Sequence, residues 1–432
     1  MSIKTQFSRI KDRFLELWKT SQIFKYAISL HILYFIISLI LVFTIYREQN
    51  DFLIYWKAGG VFLENTPDLY NQEYYVWDFR YFPLSALFFI PFYVLGFDLG
   101  FLSFQILNLI LNILISIILY KIIMLVKREG EKKDDKRVIL YICIYLMAAP
   151  QVLNYILGQI NLYITFFMLL SLLIFLKKEG VIWDLIGSIV LGISIILKPT
   201  ALFIIPFLLI IHFDLKEKKL KIDYSRSIVR LIGVILPIAS NFIPFLLYPQ
   251  LLEGFIATNY TGSNPLTLNY SFSITKNITN FCYLFNIPYN QLFILIVVIG
   301  IIAILGLLIF IIGDFDGNAL VYGFTFSLII MLLGYFDSWN HHLLNLIPLL
   351  MIILFNMPSK LKETIGIKRM FFFFSFFDIA FMGLWFLTFV YFPFNFASTT
   401  FLILTFYYIG RYCLKYSRDI IVHKSEMEVN EK

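Results

Sequence analysis

"QLFILIVVIGIIAILGLLIFII", residues 291–312, runs without one charged side chain. At about 1.5 Å of rise per residue, a helix of this length reaches across the roughly 30 Å hydrocarbon layer of a bilayer. Composition extends that reading to the whole chain. Of 432 residues, 60% are hydrophobic, 19% aromatic and only 15% charged, which is more apolar surface than a soluble interior can hide. Lipid is therefore the solvent for most of the molecule. The net charge of +7 comes from basic blocks set between apolar runs. That pattern is the sorting signal of a multi-pass membrane protein and not a nucleic-acid surface, so no nucleic-acid partner is expected.

Working outward from 291–312, about twelve stretches are long and apolar enough to be read as crossings. They fall near 24–46, 100–126, 138–156, 160–176, 181–197, 200–213, 228–248, 291–312, 319–335, 342–357, 371–391 and 396–414. The sequence thus predicts an all-α polytopic integral membrane protein with a cytoplasmic amphipathic leader, 1–23, a transmembrane domain, 24–414, and a cytoplasmic tail, 415–432. Residues 82–97, "FPLSALFFIPFYVLGF", are short and carry Pro83 and Pro91. They are read as interfacial or re-entrant.

Charge orients this plan. With both termini inside, all but five of the 35 Lys and Arg, the exceptions being Arg47, Lys57, Arg80, Lys198 and Lys276, fall on the inner side. Counting 82–97 as a crossing would put the first hydrophilic loop on the same face as "KREGEKKDDKR" (127–137), so the even-numbered plan is preferred. The plasma membrane is the expected location. The three cysteines, Cys143, Cys282 and Cys413, lie more than a hundred residues apart and have no metal-binding spacing.

The same orientation gathers the unusual polar residues on the outer face. The outer loops 47–99 and 249–290 are long, and the first is rich in Asp, Tyr and Trp. "LGQIN" (157–161) is a short turn, "LKPT" (197–200) sets Lys198 at a helix end, and "YFDSWNHHLL" (335–344) places Asp337, Trp339, His341 and His342 between two apolar runs. Each has a plain structural explanation: Asp51 is solvated, Lys198 snorkels, Gln159 and Asn161 satisfy a turn, and the histidines are interfacial. Their convergence on one face favours a site. Adjacent histidines on a helix point about 100° apart, so one metal ion is a poor fit, and "DFD" (314–316) and "DD" (134–135) fall on the other side. No metal site is expected.

These residues, in order, carry a resemblance. "DFLIYWKAGGVFLENTPDLYN" with "FRYFPLSALFFIPFYVLGF", then "LGQINLYITFFMLLSLLIFL", "GISIILKPTALFIIPFLLI", "LNYSFS" and "SWNHHLLNLIP" together resemble glycosyltransferase family 87, over about Asp51 to Pro348. The chain departs from it at "YFP", where the family often has two prolines, and at Arg80. The resemblance implies a GT-C architecture with interfacial helices in the first outer loop. It also implies transfer of a sugar, most commonly mannose, from a polyprenyl-phosphate sugar to a glycolipid or glycan acceptor at the outer face, with no metal and no cofactor beyond the lipid-linked donor. By the same resemblance Asp51 is the general base and His341 and His342 are catalytic. Lys198 with Arg80 and Lys57 would hold the donor phosphate, and Tyr55, Gln159, Asn161, Asn269 and Trp339 would contact substrate. The competing class is a lipid or sugar transporter. Transporters place ionisable groups near the membrane midplane, where this chain has only His31 as a clear case. A noncatalytic scaffold is the third option; it has little use for an ordered polar set.

Overall fold

A computed structural model describes residues 3–127, 135–215, 217–261, 271–313, 318–336, 338–378 and 396–430. The predicted positions Asp134, Asn269, "DFD" and Asp337, and most of 371–391, lie outside them. The described chain is helical apart from one antiparallel hairpin, β1 (Ile211–Asp214) with β2 (Lys219–Ile222), paired Ile211 to Ile222. In chain order the helices begin with α1 (Ile3–Thr20), α2 (Gln22–Thr44), α3 (Asp51–Glu64), α4 (Ile90–Val94), α5 (Phe97–Val126) and α6 (Asp135–Met147). Next come α7 (Ala149–Leu157), α8 (Asn161–Lys177), α9 (Val181–Leu197), α10 (Tyr224–Ala239), α11 (Phe242–Leu247) and α12 (Pro249–Ile256). The last are α13 (Ile274–Leu284), α14 (Gln291–Ile312), α15 (Ala319–Gly334), α16 (Leu343–Asn356), α17 (Lys362–Phe372) and α18 (Phe396–Asn430).

Among the described residues α2, α5 and α14 are each long and apolar enough to cross a bilayer, and α6 with α7, bent by 41°, is long and apolar enough when taken together. The remaining apolar helices are shorter. This is an all-α membrane protein. The bend between α6 and α7 has a clear cause. Pro150 has no N–H to donate to the carbonyl four residues back, so the ladder breaks and the Leu146 and Met147 carbonyls are freed. Helix α2 repairs both. His31 Nδ1 donates to Leu146 O at 3.1 Å, Tyr34 OH donates to Met147 O at 3.0 Å, and His31 Nε2 accepts from Tyr155 OH at 2.9 Å. His31 is thus a hydrogen-bonded structural histidine, satisfied at both ring nitrogens.

One predicted crossing takes a different form. Residues 200–213 are not an α-helix: Pro199–Leu208 is a 3-10 helix with Pro206 inside it, and the hairpin begins at Ile211. Pro199 fits the first helical position, but Pro206 removes a ladder donor inside the segment, and a tighter helix at about 2.0 Å per residue stands in place of the α-helix. The segment still joins the two ends of α9. It leaves Lys198 at one end, and near the other Leu208 O accepts from Arg230 and Ile210 N donates to Ser227 on α10. The predicted 228–248 is also broken, at Ser240 and Asn241 between α10 and α11. Residues 82–97 form a 3-10 stretch, Pro83–Phe89, followed by α4; this is too short to cross and packs on α3.

The core is built on α15 and α16. Every residue of α16 is buried, as is α15 from Val321 to Gly334. By contrast α2 and α14 keep isoleucines such as Ile40, Ile301 and Ile304 on the outside, as helices facing lipid do. Helices α9 and α10 approach closely. A Cβ on Gly192 would lie 2.8 Å from Val234 O, and one on Gly233 would lie 2.9 Å from Leu185 O.

Candidate active site

Three backbone ends converge beside α16. The first is the start of α3. Asn50 caps that helix, accepting from Leu53 N at 2.9 Å and donating to Tyr46 O at 2.6 Å. Asp51 follows as the first helical residue, where the helix dipole favours a carboxylate. The second is the turn after α7. Gly158 adopts φ +66°, and Gln159 N bonds back to Asn154 O at 2.9 Å, which closes the helix with a left-handed cap. A Cβ on Gly158 would sit 2.6 Å from Phe52 Cβ, so glycine is what lets this turn lie against α3. The third is Lys198, which ends α9 because Pro199 follows it.

Gln159 ties the three together. Its Nε2 donates to Asp51 Oδ2 in a short bond, and its Oε1 accepts from Lys198 Nζ at 3.2 Å and from Tyr55 OH at 3.1 Å. Lys198 Nζ also donates to Asn161 Oδ1 at 3.1 Å, and Tyr55 OH meets Tyr81 OH at 2.8 Å. The carboxylate and the ammonium are therefore linked through an amide and make no ion pair with each other among the described residues. Burial pushes Asp51 up to about 6, against the opposing pull of the Gln159 hydrogen bond and the Lys198 charge. Burial likewise lowers Lys198, to about 7, with Asp51 resisting. Asp51 as a residue is half-buried.

The histidines occupy a 3-10 turn, Asn340–His342, that leads into α16. The Trp339 N–H donates to His342 Nδ1 at 3.2 Å, so the neutral ring carries its proton on Nε2. His341 has no hydrogen bond among the described residues; its ring meets His342 at 4.4 Å between centroids and lies nearly parallel to Trp339 at 6.4 Å. Burial holds His341 well below the ordinary imidazole value, and the Lys198 charge lowers it further. Among the described residues no group of three His, Cys, Asp or Glu gathers as metal ligands.

The remaining predicted positions divide. Arg80 stands at the edge, 3.6 Å from Asp78, and its charge reaches Tyr81. Lys57 lies six residues along α3 from Asp51, about 120° around the helix, and no hydrogen bond or ion pair joins it to the cluster. Two participants were not anticipated. Tyr81 was hidden inside "FRYFP". Asn345 follows His341 by four residues and His342 by three, the spacing that shares a helix face. Its Oδ1 accepts from Thr165 Oγ1 at 2.8 Å, while its Nδ2 and that of Asn161 are buried with no acceptor among the described residues.

Residues 79–335 match glycosyltransferase family 87, more than half of the chain. The chain belongs to that family. No curated protein and no solved structure matches it. As a family 87 glycosyltransferase it transfers a sugar from a donor to an acceptor. The matched span includes Arg80, Gln159, Asn161 and Lys198, but it begins after Asp51 and ends before the histidines. Geometry brings Asp51 to Gln159 and Lys198 inside that span.

Proposed function

We propose that the chain moves a sugar, mannose by preference, from a polyprenyl-phosphate donor to a glycolipid or glycan acceptor at the outer face of the plasma membrane, with inversion at the anomeric carbon. The observation that carries this reading is the Gln159 amide, with Asp51 on its nitrogen and Lys198 on its oxygen. A transfer of this kind needs a base and a cation close together but not neutralised by each other, and the amide is consistent with both needs. Asp51 takes the proton from the acceptor hydroxyl as that oxygen attacks the anomeric carbon. The bond to the phosphate oxygen breaks on the opposite side, and Lys198 stabilises the charge that develops there. Because Lys198 supplies the positive charge, the reading is metal-independent. The lipid-linked sugar is a co-substrate, and no cofactor is required.

In this reading His342 donates Nε2–H toward the leaving phosphate, Trp339 and His341 wall the sugar, and Arg80 adds a cation at the rim. The apolar stretch 82–97 borders the prenyl chain. About twelve crossings with cytoplasmic termini accompany it. Membranes supplied with a labelled polyprenyl-phosphate sugar test the proposal. Asp51→Asn is expected to cut transfer about 10²–10⁴-fold while the protein still accumulates and stays stable in detergent. Near-normal turnover in that variant would remove Asp51 from the reaction. Proteoliposomes that move a lipid or sugar across the bilayer without forming a glycosidic bond would favour the transporter reading instead.

A further inference from the structure

The turn that carries His341 and His342 is gripped from behind by a carboxylate to which the reaction above gives no role. Asp378 follows the π-helical stretch Phe373–Phe377 and is completely buried. Its Oδ2 accepts from Asn340 Nδ2 at 2.7 Å, and its Oδ1 accepts from the Ser398 hydroxyl in a short bond. Asn340 is the first residue of the histidine turn, and Ser398 lies on α18. No lysine or arginine pairs with Asp378 among the described residues. A buried carboxyl whose partners among the described residues are neutral donors carries a desolvation cost, and an amide or hydroxyl could join the same helices with less. A residue kept on those terms calls for a role beyond packing.

We propose that Asp378 is a positioning residue: through Asn340 it fixes the turn that aims His342 at the reacting groups. This rests on the reading of His342 as a donor to the leaving phosphate. The coupling is mechanical. His342 Nδ1 is tied to the Trp339 N–H of the same turn, so a rotation of the backbone at Asn340 displaces the Nε2 end of the ring. The flank before the turn has its own anchor. Ser338 O accepts from Phe272 N at 3.1 Å, Ser338 N donates to Ser271 Oγ at 3.0 Å, and Thr399 on α18 bonds to Phe272 O at 2.5 Å. That clamp fixes residue 338, three positions before His341. Asp378 grips the residue next to the histidines, where a small error is passed directly to the ring.

Hydrogen exchange and transfer kinetics on the full-length protein test this together. Asp378→Ala and Asn340→Ala cut the same hydrogen bond from opposite sides, so one survives as a probe if the other fails to fold. Each is expected to raise amide exchange across 338–343 and leave α14 unchanged. Asp378→Asn, whose Oδ1 can still accept from Asn340, should restore protection and most of the rate. The loss should appear in kcat rather than KM and reach about 10²-fold, as for a misplacement near 1 Å. In a His342→Ala background the further loss should vanish. Unchanged exchange at 338–343, or an equal loss with and without His342, overturns the proposal. A wild-type protein that makes no product from a polyprenyl-phosphate sugar would overturn the functional reading instead, while the exchange result still decides whether Asp378 holds the turn.

Discussion

Helix α9 carries a buried charge cluster at each end, about 21 Å apart along its axis, and the two are built on opposite plans. At one end Asp184 is sealed by arginines. Arg226 Nε reaches Oδ2 at 2.6 Å, Arg230 Nε reaches Oδ1 at 2.8 Å, and the Arg230 guanidinium also lies over Phe175 at 4.9 Å. At the other end Lys198 is held off Asp51 by Gln159, which binds both. Both oxygens of Asp184 are saturated with cations, so it has no capacity left for a ligand. Asp51 has one oxygen bound to a neutral amide and is paired with no cation among the described residues. A carboxylate consumed by its partners holds helices together; one held near a cation but kept from it retains the ability to react.

Breaking the sealed end should cost the most. Asp184→Ala leaves Arg230 buried without its counter-charge and is expected to lower stability by about 3 kcal/mol, the low end for such pairs because Arg226 is one-third exposed. Thermal unfolding in detergent reads this. Transfer per folded molecule should stay near wild type, and a selective loss of turnover would mean that this end communicates with the site.

At the open end the signs reverse. Lys198→Met removes a buried cation that has no carboxylate in direct contact, so stability should hold or rise, whereas transfer should fall about 10²–10³-fold through loss of charge stabilisation. The two ends of α9 would then exchange effects, stability for one and rate for the other. Loss of stability with little loss of rate in Lys198→Met would place Lys198 with Asp184 as structure.

How much of this contrast was legible depends on which physical signal each residue gives. Helix α14 was visible because apolar length alone specifies it. Residues 200–213 misled for the same reason: hydropathy counts composition, whereas Pro199 and Pro206 act on the backbone hydrogen bonds. Asp51, Gln159 and Lys198 could be placed on one face by charge-based orientation, but their order, with the amide in the middle, depends on where Gly158 lets the turn approach α3. The state of His342 was beyond reach, because it is set by the Trp339 backbone N–H rather than by any neighbouring side chain. Asp378 and Asn340 are 38 positions apart, and nothing in their local sequence links them.

The smallest expected effect, and the sharpest test of the open end, is in pH dependence. A base of ordinary carboxylate strength would lose activity only near pH 4. Burial raises Asp51 to about 6, so the folded protein binds its proton more tightly than the unfolded chain does. Two consequences share that sign. Transfer, followed as kcat/KM, should decline as pH falls through about 6, with protonated Asp51 unable to accept the acceptor's proton. The contribution of Asp51 to stability should be greatest below its unfolded value and be lost as pH rises through about 6, so Asp51→Asn should be at least as stable as wild type at neutral pH. The Lys198 charge opposes the rise, and removing it in Lys198→Met should therefore move the acid limb of the residual activity to still higher pH. An acid limb near 4, or one that Lys198→Met leaves in place, would mean that Asp51 is solvated or out of reach of Lys198, and the contrast between the two ends of α9 would disappear.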